Sequence, residues 1–105
     1  MLRIPTHRAP THPGEMLLEE FLKPLGLSVD EVAKRLRMRR ERLQEIINEK
    51  RGVTADTALR LERLLGMEAQ FWLKMQLGWD LYHAKRSAGA AIRRIHRLPA
   101  LRRAS

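Results

Sequence analysis

Between residues 28 and 48 the chain reads SVDEVAKRLRMRRERLQEIIN, and the placement of its apolar residues leaves few ways to fold it. The spacing that matters is that of Val32, Ala33, Leu36, Met38, Leu43, Ile46 and Ile47. Ala33 on a short helix lets a second helix pass close by. Met38 plugs the corner between the two, and Leu43, Ile46 and Ile47 seat the second helix on the same core. The spacing predicts a helix-turn-helix, whose second helix is carried outward to lie in a DNA major groove.

Local signals divide the rest of the chain into helices. Ser28 with Glu31 three residues on forms a capping box, opening a helix to about Leu36. The turn falls at Arg37 and Met38, and the next helix runs from about Arg40 to Asn48. Lys50-Arg51-Gly52 reads as a loop. Thr54 caps a helix from Ala55 to Leu65, with Ala58, Leu61 and Leu65 inward and Gly66 ending it. Upstream, MLRIPTHRAPTHPG holds three prolines and a glycine. It predicts an extended arm over 1–12, with Pro13 in the first turn of a helix from Glu15 to Lys23. Leu18, Leu22 and Leu25 make its stripe, with Leu17 and Phe21 alongside, and Pro24 and Gly26 close it.

The fifth helix, about Ala69 to Lys85, is apolar on two sides. Trp72, Met75, Trp79 and Tyr82 share one face at 100° per residue, while Leu73, Leu77, Leu81 and Ala84 fall nearly opposite. One small core cannot cover both. The second face is therefore expected to form a homodimer contact, as suits a reader of two half-sites. The alternative is that the C-terminal tail folds back over it. The domain is thus read as 13–85, followed by a basic tail over 86–105. Within the tail, SAGAAIRRIHRLPALRRAS is either disordered or a short amphipathic helix on Ile92, Ile95 and Leu98. The fold class is all-α: a five-helix helix-turn-helix domain with a basic C-terminal extension.

Charge narrows the partner. The net charge is +9 over 105 residues, and it is unevenly spread. Residues 31–53 carry eight basic and four acidic groups, and residues 81–105 carry seven basic and none acidic. The helix-turn-helix and the tail therefore hold the basicity, which points to a polyanion. The face turned away from Leu43, Ile46 and Ile47 centres on Glu41, Gln44, Glu45 and Asn48. Arg40 and Arg42 flank it, and Arg39 stands at its N-terminal end. Gln44 and Asn48 suit adenine edges, and Arg39 or Arg40 suits guanine. Glu41 and Glu45 oppose a negative surface unless they accept from cytosine or are neutralised by Arg37, Arg40 or Arg42. Lys50 and Arg51 lie within reach of the DNA backbone. The candidate DNA-binding set is thus Arg37, Arg39, Arg40, Glu41, Arg42, Gln44, Glu45, Asn48, Lys50 and Arg51. An ordinary solvated charged face is the competing reading.

Other chemistries find little support. The chain has no cysteine, which removes disulfides and thiolate ligands. His7, His12 and Glu15 could be imagined as metal ligands and His83 and His96 as isolated bases. They lack the spacing of a zinc site or a nucleophile partner and read as exposed or turn residues. No catalytic residue, metal or cofactor is expected. No apolar run approaches a membrane span or a signal peptide, so a cytoplasmic location is the default.

Three strings carry a family resemblance: RIPTHRAPTHPGEMLLEEFL, RGVTADTALRLERLLG and FWLKMQLGWDL. Together with the helix-turn-helix they resemble the HigA-type antitoxins of bacterial toxin–antitoxin systems, over about residues 3–85. The resemblance implies a phage-repressor-like five-helix domain and a homodimer on a palindromic operator in its own promoter. It also implies a cognate HigB-type toxin, a small ribosome-associated RNA-cleaving protein held inactive. Val32, Ala33, Leu36, Met38, Leu43 and Ile46 match the family's packing positions. Arg39, Arg40, Gln44, Glu45 and Asn48 fall at or near its DNA-facing ones. The chain departs from the pattern at the turn, where Arg37 replaces the frequent glycine, and at the recognition-helix cap, where Arg39 replaces serine or threonine. Two other functions stay open: a regulator without a toxin, and a toxin-binding subunit with weak DNA affinity.

Overall fold

The computed structural model describes residues 10–99, and every regular element among them is helical. The greater part of the expected arm, residues 1–9, and the last six residues of the tail lie outside the described range. The first helix, α1 (13–25), begins at Pro13 and contains a π-helical stretch, Leu18–Leu22. It is followed by α2 (Val29–Leu36), α3 (Arg40–Ile47), α4 (Ala55–Leu65) and α5 (Ala69–Arg93).

The opening of α1 explains the string THPGE. His12 is the N-cap, extended at φ −74° and ψ 142°, and its Nδ1 accepts the Gly14 N–H at 2.9 Å. Pro13 follows, where its lack of an N–H costs nothing. Gly14 then lies so near α3 that a Cβ there would overlap the Ile46 carbonyl. His12 is buried and meets Trp79 of α5 edge-on, with ring centroids 4.9 Å apart. It is therefore a buried capping residue at the helix start, not an exposed histidine.

The middle of α1 corrects the expected stripe. Leu17 and Leu22 are buried, Leu18 is half-buried, and Leu25 is 61% exposed. Five residues apart, Leu17 and Leu22 would diverge on a regular α-helix. The π-helical stretch between them, closed by Lys23 N–H on Leu18 O, widens one turn and brings them to the same face. It also lets the helix pass through Pro24, which was expected to stop it, since proline cannot donate the usual backbone bond. Gly26, left-handed at φ 66°, ends α1, as expected.

Helices α2 to α4 bury the residues that their spacing marks out, except that Leu65 is half-buried and packs against the core from its edge. Val32, Ala33 and Leu36 of α2, Leu43, Ile46 and Ile47 of α3, and Ala58 and Leu61 of α4 close one core with Val53, Leu17, Leu22 and Trp72. Met38 is packed against that core at the corner, as expected. Ser28 accepts the Glu31 N–H and Thr54 the Thr57 N–H, so both predicted caps are made.

The fifth helix runs further than its expected end at Lys85. It continues through Gly89 to Arg93, about two turns more at 3.6 residues per turn. Residues 86–93 of the tail therefore prolong α5, and residues 94–99 leave the helix as exposed chain rather than covering it. None of the helices among the described residues is long and apolar enough to cross a membrane.

Candidate nucleic-acid interface

The turn between α2 and α3 sets the direction of the displayed helix. Arg37 is left-handed at φ 57° and ψ 45°. Its N–H donates to Lys34 O at 3.1 Å, and the Met38 N–H donates to Ala33 O at 3.0 Å. These are the pairings of a helix end that usually calls for glycine. Arginine makes them at a cost of about 1–2 kcal/mol in backbone strain. The start of α3 is less supported: Arg39 is extended and its side chain makes no cap bond. Glu41 in the first turn favours that end electrostatically.

Of the ten candidate DNA-facing residues, Arg37, Arg39, Arg40, Glu41, Glu45, Asn48, Lys50 and Arg51 are exposed, while Arg42 and Gln44 are half-buried. Several are already engaged. Arg40 pairs with Asp30 at the start of α2. Gln44 Nε2 donates to Asn48 Oδ1 at 3.1 Å, holding the two candidate adenine readers side by side. Glu45 is neutralised by Arg51, at 2.8 Å, and not by the arginines of its own helix. Glu41 has no ion pair among the described residues. Arg42 leans toward α4, and its buried Nε lacks a hydrogen-bond acceptor.

The loop after α3 is fastened from a distance. Glu49 is left-handed at φ 63°, and Lys50 N–H closes the helix end on Glu45 O at 2.8 Å. Gln76 of α5 then reaches the loop: its Oε1 accepts the Val53 N–H at 2.8 Å, while its Nε2 donates to Asp80 Oδ1 at 3.0 Å. Gly52 presses on the same amide, leaving 2.9 Å for a Cβ. At 100° per residue Gln76 falls between the two apolar faces of its helix, a spacing that gives no sign of this clamp. Arg60 of α4 was also missed: it bonds the carbonyls of the helix-turn-helix turn, from 24 residues away in sequence.

The second face of α5 divides. Leu77 and Leu81 are 57% and 49% exposed, and Ala84 is also exposed, as a free face requires. Leu73 is not part of that face, because it is half-buried and packs against the core. The prolonged helix adds Ala88, Ala91 and Ile92 at matching helical spacing.

The helix-turn-helix family model matches residues 18–72, which takes in α2, α3 and α4. The chain belongs to the helix-turn-helix family. Within that family it is similar to the virulence-associated protein I of Dichelobacter nodosus, 55% identical over 74 residues, 70% of this chain and 68% of the relative. It is also similar to antitoxin GraA, solved in complex with its operator (TM-score 0.81, 37% identity, 91% of this chain and 98% of that one). A further helix-turn-helix neighbour is the Pseudomonas aeruginosa antitoxin HigA, solved with the higBA promoter (TM-score 0.80, 34% identity, 86% and 98%). The resemblance to HigA-type antitoxins thus extends to the folded chain.

Proposed function

We propose that this helix-turn-helix protein is an antitoxin that binds operator DNA as a homodimer, represses its own operon and neutralises an RNA-cleaving toxin. One observation carries the reading. A mixed polar helix, α3, is mounted outward on an apolar core, in a chain whose fold follows two antitoxins solved on their operator or promoter DNA. Arg39, Arg40, Gln44 and Asn48 are the proposed base readers, and Arg37, Arg42, Lys50 and Arg51 supply attraction to phosphate. The exposed Leu77, Leu81 and Ala84 are the proposed dimer contact.

The test is binding to the promoter upstream of the chain's own gene. Arg40→Ala with Gln44→Ala is expected to abolish the preference for that duplex over a scrambled one while leaving helix content unchanged. An unchanged preference would overturn the role of α3. Co-purification with the product of the neighbouring reading frame separates an antitoxin from a regulator without a toxin.

A further inference from the structure

Arg60 lies on α4, outside the helix-turn-helix, yet its guanidinium is bonded into the turn. Nη1 donates to Leu36 O at 2.9 Å and to Arg37 O at 3.0 Å. Nε donates to Asp56 Oδ1 at 2.7 Å, one turn earlier on the same helix. The last carbonyls of a helix have no partner of their own. At the end of α2, Ala33 O and Lys34 O are taken up by the turn's own amides, and Arg60 serves those of Leu36 and Arg37.

We propose that Arg60 is a positioning residue that latches the left-handed Arg37 turn to α4 and so fixes where the displayed helix begins. The proposal rests on the reading of α3 as the DNA-reading helix. Three features of this chain place the task there. Arg37 occupies a conformation that resists an L side chain, and Arg39 gives α3 no side-chain cap, so the turn is strained at one end and uncapped at the other. A planar guanidinium spreads its donors over separate nitrogens in a rigid fork, here Nε and Nη1, whereas an ammonium offers its three from a single point. Asp56, in the first turn of α4, holds the fork in its rotamer and is itself favoured there by the helix dipole.

A competing role is direct contact with a DNA phosphate, because Arg60 lines an open cleft with Arg37, Arg39 and Arg42. The two roles differ in what they do to salt dependence. Losing a phosphate contact lowers affinity for every duplex and reduces the slope of log affinity against log salt by about one. Losing a latch spares that slope and erodes discrimination.

The experiment uses the full chain as wild type, Arg60→Met and Arg60→Lys. Amide hydrogen exchange in the free protein is read at Arg37 and Met38 against Leu61 in the core. Affinity is read on promoter and scrambled duplexes across a salt series. For both variants the expected result is exchange at Arg37 and Met38 about tenfold faster relative to Leu61, the scale of a lost charge-assisted hydrogen bond. The promoter-to-scrambled ratio is expected to fall about tenfold with the salt slope unchanged. Unaltered exchange at the turn would overturn the latch, as would an equal loss on both duplexes with a shallower slope. Should wild type not prefer its promoter, the DNA reading fails, and the exchange measurement alone decides the latch.

Discussion

Two residues on either side of α3 hold backbone conformations that glycine would adopt freely: Arg37 at φ 57° and Glu49 at φ 63°. The strain is accepted where one side chain contributes charge beside the candidate interface and the other ends the displayed helix. His12 is a third residue held against its preference. Its neutral Nδ1 accepts from Gly14 in a buried site, so burial lowers its pKa below 6.5, against the pull of Glu49, Asp80 and Glu15. Between pH 6.5 and that lowered value the unfolded chain binds the proton and the folded chain resists it. The stabilisation is therefore complete above 6.5 and drains away as pH falls. Denaturant midpoints compared at about pH 7.5 and 5.5 are expected to fall further for wild type than for His12→Asn, which can still cap but does not titrate. Parallel falls would assign the acid sensitivity to other groups.

At the level of elements, the helices are tied together by a few close approaches rather than by area alone. Gly14 lets α1 lie on the carbonyl of Ile46, so Gly14→Ala must push α1 away from α3. Its expected cost is about 3 kcal/mol, the upper range for forcing an extra methyl into a packed site, measured by urea unfolding. Gln76 ties α5 to the loop after α3 by a single buried bond to Val53. Gln76→Leu leaves that N–H without a partner, at an expected cost of about 1–3 kcal/mol in the same assay. Both contacts converge on α3 and its following loop. The scaffold thus holds the displayed helix at its C-terminal end through α1 and α5, and at its start through α4.

Across the whole molecule, α5 carries an apolar strip that the described residues leave uncovered, flanked by cations on its last turns. If that strip joins two copies, it also sets the separation of the two displayed helices, and hence the half-site spacing. Leu77→Glu places a charge in its middle. The expected outcome is a monomer by sedimentation, with promoter affinity reduced at least tenfold because one half-site alone is held. A stable dimer in that variant would remove this face as the interface.

Much of this architecture was legible in the chain. The apolar spacing of residues 28–48 specified α2, the turn and α3, because helical periodicity and burial are local properties. Ser28, Thr54 and Gly66 marked helix ends for the same reason. The exposed polar face of α3 followed once its anchors were known. Other features depended on neighbours far away in sequence. The π-helical turn answers both to Pro24 and to the need to bury Leu17 with Leu22. Leu73 was drawn into the core rather than left on the outer face. His12, Gln76 and Arg60 each serve backbone groups whose location only packing defines. Periodicity states which side of a helix is apolar, whereas the tertiary structure decides which orphaned carbonyl or amide a polar side chain can reach. The sequence by itself determined that a charged helix would be displayed, and the fold decided which residues hold it in place.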